Sequence, residues 1–230
     1  MAAGRKEAEM SSPSSRETVL GRVRRALADV PRTERPEDVP VPRDYLRVHG
    51  DRDPRETARL LAENLADYRA RVHHCVPSAL PETIARLLAR QGSRSVVVPA
   101  GLPDSWLPAG VERVHDSAEL PSHALDAVGS VVTGCAVAVA ETGTLVLDAS
   151  RDQGRRRITL VPDHHLCVVR VPEQVVGSVP QALERLDPAR PQTWISGPSA
   201  TSDIELNRVE GVHGPRTLDV ILVSEEGFLL

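Results

Sequence analysis

The chain has very few aromatic side chains from which to build a hydrophobic core. Among its 230 residues there are two Trp, two Tyr and one Phe. Val, Leu, Ile and Ala must therefore fill the interior, and runs such as 95–99 and 131–140 supply them. Continuous aliphatic runs are typical of strands that are covered on both faces, as in parallel sheets. The composition therefore favours an α/β fold.

Strand-like and helix-like segments alternate along the chain, which indicates a mostly parallel sheet flanked by helices. Apolar residues at helical spacing predict helices from Ser15 to Pro31, at 56–72 and at 80–90. Shorter helices are predicted at 181–186 and after Gly197. The predicted strands are 95–99, 111–114, 131–140, 145–147, 166–171, 193–196 and 217–223.

Two regions with different compositions are expected. Residues 1–53 combine a polar, disordered start, an N-terminal helical arm and a linker at 31–42 that contains four prolines. The arm is expected to pack on the main domain or on a partner. Residues 54–230 are expected to form that main domain.

Charge and hydropathy exclude several classes of protein. The 28 basic and 32 acidic residues give a formal net charge of −4, whereas nucleic-acid binders usually carry a basic surplus. No segment approaches the ~18 apolar residues of a membrane span, and no apolar leader is present. We therefore expect a soluble, cytoplasmic protein that binds neither nucleic acid nor membrane.

No metal or cofactor is predicted. Cys75, Cys135 and Cys167 are too widely spaced for a zinc or iron–sulfur motif, and their odd number suggests free thiols in a reducing compartment. Asp163 precedes His164 and His165, but adjacent residues of an extended chain point to opposite sides. At most one of these histidines could therefore bind a metal together with Asp163.

The first candidate site is the stretch Glu141-Thr142-Gly143-Thr144, between two predicted strands. Thr142 and Thr144 offer hydroxyl groups, and Gly143 allows a backbone to approach a ligand closely. The same residues would also suit a tight turn in which Gly143 adopts a positive φ. Both interpretations stay open from the sequence.

The second candidate site begins at Gly197 and includes Ser199, Thr201, Ser202 and Asp203. It follows the carboxyl end of a predicted strand, where open α/β sheets bind ligands, and it leads into a predicted helix whose free N–H groups attract anions. Residues 202–205 also fit a capping box, in which side chains satisfy those N–H groups.

The third candidate site is the loop that contains His213, Gly214 and Arg216. His213 could act as an acid or base, and Arg216 could clamp an anion. Alternatively, His213 fixes the turn by hydrogen bonding to backbone carbonyl groups.

These motifs, in this order, resemble the LUD domain of the lactate-utilisation protein C family. The resemblance rests on residues 140–145, 160–165, 197–205 and 211–216 and extends from about 54 to 223. It implies a fold shared with ribose-5-phosphate isomerase, glucosamine-6-phosphate deaminase and CoA transferases. It also implies a role in the oxidation of L-lactate to pyruvate beside two partner proteins that carry iron–sulfur clusters. Three scattered cysteines cannot hold a four-cysteine cluster, which agrees with a redox centre in a partner.

Two functions are compatible with this resemblance. The chain is either an accessory component of a lactate-oxidising system or a small-molecule enzyme or binder on a CoA-transferase-like fold. In the second case Glu141 would be the nucleophile or base, and 199–202 would hold an acyl or phosphate group. His213 and Arg216 would then orient a small carboxylate.

Overall fold

A computed structural model describes residues 14–31, 33, 35–38, 41–42, 44–198, 200–201, 209–210 and 214–228. The chain divides into two compact units, residues 1–45 and 46–230. The first unit contains helix α1, Ser15–Ala26, which begins at the predicted residue but ends before the predicted stop at Pro31. It begins there because Glu17 accepts a hydrogen bond from the Ser14 N–H at 2.8 Å and the Ser14 hydroxyl accepts one from the Glu17 N–H. Residues 1–13, predicted to be disordered, lie outside the described residues.

The second unit contains the remaining described helices and strands. The helices are α2 Pro54–Asp67, α3 Leu80–Gln91, α4 Ser122–Asp126 and α5 Val179–Leu183. The strands are β1 Arg71–Cys75, β2 Ser95–Val98, β3 Glu112–His115, β4 Ser130–Thr133, β5 Val137–Val139, β6 Thr144–Leu147, β7 His164–Arg170, β8 Val175–Val176, β9 Thr193–Ile195, β10 Ala200–Thr201, β11 Val209–Glu210 and β12 Thr217–Val223. Across the described residues, no helix is long and apolar enough to cross a membrane.

The main sheet has six strands in the order β1-β12-β7-β4-β2-β3, and every neighbouring pair is parallel. Its central strands β7 and β12 are buried along almost their whole length. Helix α3, whose apolar face includes Ile84 and Leu88, packs against one face. These features confirm the predicted α/β fold with a mostly parallel sheet flanked by helices.

A second sheet covers the other face of the main sheet together with α2. Its strand order is β8-β5-β6-β9, and β6 is antiparallel to both of its neighbours. The core between the layers is aliphatic, as the composition predicted, and includes Leu61, Leu65, Leu145, Cys167 and Val220.

The single strand predicted at 131–140 is wrong, because the chain leaves the main sheet after β4 and enters the second sheet at β5. The Gly134 N–H donates to the Asp152 carbonyl oxygen at 2.9 Å, so the backbone turns away from the β4 direction there. The Cys135 thiol then donates a hydrogen bond to the Val137 carbonyl oxygen at 3.2 Å. The sequence signal for this break was Gly134, because a glycine inside a strand pattern often marks a bulge or a sharp bend.

The helix predicted at 56–72 ends earlier, at Asp67. Arg69 has a positive φ of 67°, which reverses the chain direction after the helix. The following residues form β1, which pairs with β12. The polar composition of Arg71–Cys75 gave no strand signal.

A hydrogen-bonded polar chain crosses four strands on the α3 side of the main sheet. Asp219 on β12 accepts from His73 Nε2 at 2.6 Å and from His164 Nε2 at 2.8 Å. His164 Nδ1 lies 2.7 Å from the hydroxyl oxygen of Ser130 on β4. Burial alone would raise the pKa of Asp219, but the hydrogen bonds from His164 and His73 lower this pKa well below its usual range.

We expect Asp219→Asn to lower the free energy of unfolding by about 3–5 kcal/mol at neutral pH, because it removes the buried carboxylate that accepts hydrogen bonds from His73 and His164. A lowered folded-state pKa stabilises the protein above the unfolded pKa of about 3.9, and this contribution is lost as the pH falls. The gap between the wild type and Asp219→Asn should therefore shrink by about 1 kcal/mol by pH 3. Urea unfolding between pH 7 and 3 measures it, and a constant gap would contradict the ionic role of Asp219.

Candidate functional site

A cleft of about 270 Å³ opens where β7 and β12 begin. Its wall includes His165 and Gly214 from the main-sheet side and Trp194, Ser196 and Gly197 from β9 and the residues after it. We call it the amino-end cleft. It brings together Gly197 and Gly214, which come from two different predicted site motifs.

The predicted Thr-Gly-Thr turn lies next to this cleft. The Thr144 and Ser196 hydroxyl oxygens are 2.8 Å apart, and those of Thr142 and Thr144 are 2.7 Å apart. Gly143 has a φ of +55°, and a Cβ there would lie 2.7 Å from the backbone carbon of Asn64 on α2. Gly143 therefore allows the turn to pack closely on α2, which is the structural role that the sequence left open.

Gly197, in the wall of the cleft, packs closely against Tyr68, the residue that directly follows α2. Its φ is +81°, and a Cβ at this position would overlap the Tyr68 carbonyl oxygen. The backbone after β9 can therefore approach Tyr68 only because residue 197 has no side chain.

Glu141 faces a different neighbourhood from the other predicted site residues. His49 Nδ1 donates to its carboxylate at 2.7 Å, and Arg52 Nη1 does so at 3.3 Å. The hydrogen bond to Glu141 is the largest contribution that raises the pKa of His49. Glu141 is not part of the wall of the amino-end cleft, so the structure does not bring its carboxylate together with Gly214.

His165 is a cleft residue that sequence reasoning did not select as a site. Its Nε2 is hydrogen-bonded to the Thr133 hydroxyl at 2.8 Å, and burial lowers the pKa of His165 to about 3. The ring is therefore neutral at physiological pH, and it is almost fully buried behind the surface of the cleft wall. The Asp163-His164-His165 run was the available signal, but it was considered only as a possible metal site, which was not predicted.

Arg216 lies in an adjoining depression of about 190 Å³, beside Arg69 and Arg71. We call this depression, with its three arginines, the arginine basin. Pro198 and Leu218 line both the basin and the amino-end cleft, so the two are contiguous. Neither Arg69 nor Arg71 was selected from the sequence, because the chain separates them from Arg216 by more than 140 positions.

Several predicted site residues fall outside the described part of the chain: Ser199, Ser202, Asp203 and His213. Thr201 is part of β10, which pairs antiparallel with β11. The helix predicted directly after Gly197 is therefore wrong at residues 200–201, where the backbone is extended and paired.

A second cleft, of about 200 Å³, lies at the opposite edge of the main sheet, where β7 and β12 end. Trp106, Arg170, Val223 and Glu225 line it. Open α/β sheets commonly bind ligands at this carboxyl edge. The motifs selected from the sequence lie at the other edge, because β5 and β9 of the second sheet end, and the antiparallel β6 begins, beside the starts of β7 and β12.

The described residues include no group of three His, Cys, Asp or Glu side chains placed to hold a metal ion. The three cysteines are buried and free. Both histidines of the 163–165 run are engaged in the hydrogen bonds given above, and Arg216 donates to Asp163 at 3.3 Å.

We expect Gly197→Ala to destabilise the protein more than Gly110→Ala does. Both glycines have positive φ, but a Cβ at Gly110 meets no atom within 4 Å, whereas one at Gly197 overlaps Tyr68. Backbone strain is common to both variants, so the difference reports the close approach. Urea unfolding should give a difference of at least about 1 kcal/mol; equal losses would show that the approach to Tyr68 is not tight.

The LUD domain family model matches residues 58–223 of this chain. That range includes β1 to β12, and with them the amino-end cleft and the arginine basin.

Similar proteins include one named Lactate utilization protein C from Deinococcus radiodurans. It is 42% identical over 93% of this chain and 98% of its own length. A protein of the same name from Geobacillus thermodenitrificans is 32% identical over 64% of this chain and 70% of its own length. Among solved structures, a DUF162 family protein from Deinococcus radiodurans has a TM-score of 0.66 and 40% identity, and it covers 75% of this chain and 99% of its own chain.

Proposed function

Because this chain belongs to the LUD-domain family, we propose that it is a lactate-utilisation protein C-like component of an iron–sulfur system that oxidises L-lactate to pyruvate. The observation that carries the proposal is the 42% identity with a Lactate utilization protein C along 98% of that protein. A similarity that extends over almost the whole relative supports a shared role more strongly than a match to one motif would.

In this proposal the iron–sulfur clusters belong to partner subunits. A cluster of the common type needs four thiolate ligands, and this chain has three cysteines in all. Each of the three is buried in the domain. Residues 1–53 are the proposed arm and linker, residues 54–230 are the proposed LUD domain, and the system works in the cytoplasm.

We expect cells that lack this chain to lose growth on L-lactate while they keep growth on pyruvate. The two carbon sources differ only by the oxidation step in which the chain is proposed to act, so pyruvate is the matched control. Growth curves with and without a restored copy measure the effect. Normal growth of the deletion strain on L-lactate would contradict the proposed role.

A second function, binding or conversion of a small molecule, is favoured by the amino-end cleft. The cleft joins a flat indole (Trp194), a hydroxyl group (Ser196) and two glycines, and ligand sites commonly combine an apolar wall with a few polar groups. Glu141 and His213 are the proposed catalytic residues, and the role of Glu141 is a separate proposal because its carboxylate lies outside the wall of this cleft. Thr142, Gly143 and Thr144 are proposed to support the cleft through the Thr144–Ser196 hydrogen bond.

The two tryptophans allow a direct test of ligand binding, because Trp194 lines the amino-end cleft and Trp106 lines the opposite one. In Trp106→Phe, all tryptophan fluorescence comes from Trp194. We expect a saturable fluorescence change with one class among L-lactate, pyruvate, CoA thioesters, sugar phosphates and nicotinamide cofactors. The reciprocal variant Trp194→Phe is the control. A change seen only through Trp106 would place the ligand at the other edge of the sheet and contradict this function for the amino-end cleft.

A further inference from the structure

Three arginines from two separate parts of the chain converge on the arginine basin. Arg69 follows α2, Arg71 begins β1, and Arg216 directly precedes β12. They meet because β1 pairs in parallel with β12, so the starts of the two strands lie side by side. Guanidinium groups that share a small depression repel each other unless an anion lies between them.

The acidic contacts of Arg71 and Arg216 within the described residues occupy few of their N–H donors. Arg216 reaches Asp163 at 3.3 Å, but the two side chains are 67% and 59% exposed, and such surface pairs contribute little. Arg71 lies 4.0 Å from Asp219, whose two oxygens already accept hydrogen bonds from His73 and His164. A guanidinium has five N–H donors, and neither contact uses more than a small part of them.

Arg69 reaches the basin through the turn that ends α2. Its φ of +67° is that of a left-handed helix C-cap. In this turn the Arg69 N–H donates to the Ala66 carbonyl oxygen at 2.8 Å. Here the turn directs the chain from α2 into β1 and places Arg69 in the wall of the basin.

The basin also continues into a less charged space. Pro198 and Leu218 line both the basin and the amino-end cleft, and beyond them lie Trp194 and Ile195. An organic anion could therefore place its charged group among the arginines and its carbon skeleton against the indole.

We propose that the arginine basin is an oxyanion-binding site that holds the phosphate or carboxylate group of an organic ligand seated in the amino-end cleft. The assignment rests on the second proposed function, that the cleft binds a small molecule, and it names the chemical class of that molecule. The planar fork of Arg matches both oxyanions, because two parallel N–H groups can bind two oxygens of one group.

Calorimetric titration of the full chain with inorganic phosphate, ribose 5-phosphate and pyruvate, at constant ionic strength, tests the proposal. We expect at least one of these oxyanions to bind. Arg216→Gln and Arg71→Gln should each weaken that binding about tenfold or more, because each removes charge-assisted hydrogen bonds. Binding of the two phosphates identifies a phosphate site, and binding of pyruvate alone identifies a carboxylate site.

Arg59→Gln is the matched control, since Arg59 is an exposed arginine of α2 whose ion pair with Glu63, at 3.8 Å, is as weak as that of Arg216. It should bind the oxyanion as the wild type does. Because the Arg216 side chain is exposed, Arg216→Gln should leave the fold intact. This variant therefore tests the basin even if Arg71→Gln disrupts the hydrogen bonds of Asp219. Wild-type affinity in Arg216→Gln, or no saturable binding of any of the three compounds, overturns the basin as an oxyanion site.

Failure of the basin can be told apart from failure of the cleft. If the Trp194 fluorescence change occurs with a compound that carries no oxyanion, and survives in Arg216→Gln, the cleft function stands and the basin proposal falls. If no compound changes Trp194 fluorescence but phosphate binding still depends on Arg216, the basin stands without the cleft. The growth test on L-lactate is independent of both the calorimetric titration and the fluorescence measurement.

Discussion

Strands β7 and β12 pair in parallel over seven residues, with Thr217 opposite His164 and Val223 opposite Arg170. Both strands are covered on both faces, so a shift in their register would move aliphatic side chains between two buried layers. The register also aligns the starts of the two strands. The segments that lead into them, which carry Leu160 and Gly214, therefore meet at one edge of the sheet and form the amino-end cleft between them.

The same alignment places polar side chains inside an aliphatic sheet. Asp219 on β12 lies between His164 of β7 and His73 of β1, and its buried carboxylate is satisfied only because both neighbours are in register. A buried charge without such partners would cost several kcal/mol. The hydrogen-bonded chain therefore favours one arrangement of strands β1, β12, β7 and β4 over alternatives that the aliphatic residues alone would tolerate.

The sequence predicted the parts of the fold that depend on local patterns. Scarce aromatic residues and Val-rich runs indicated a sheet covered on both faces. The apolar spacing at 80–90 predicted α3, which ends directly before Gly92. The division of 131–140 between two sheets was missed. Gly134 signals a bend inside the run, but a buried residue looks the same in either sheet. Strand β1 was missed because its residues Arg71, His73 and His74 lack an alternating apolar pattern.

For the candidate site too, the sequence revealed local features but not the contacts between residues that are distant in the chain. The glycines at 143, 197 and 214 stood out in the sequence, and their neighbourhood followed only from the fold, through the Thr144–Ser196 hydrogen bond and the packing of Gly197 on Tyr68. Arg69 and Arg71 had no local signal, since they reach Arg216 only through the pairing of β1 with β12. His165 was visible in the sequence, but its burial and its Thr133 partner were not.

We propose that ligands bind where β7 and β12 begin, rather than at the carboxyl edge where open α/β sheets commonly bind them. Hydrogen–deuterium exchange with and without saturating pyruvate or inorganic phosphate tests it directly, because the two clefts involve different peptides. We expect slower amide exchange at 193–198 and 214–218. Slower exchange confined to 168–173 and 223–225, which line the opposite cleft, would contradict it.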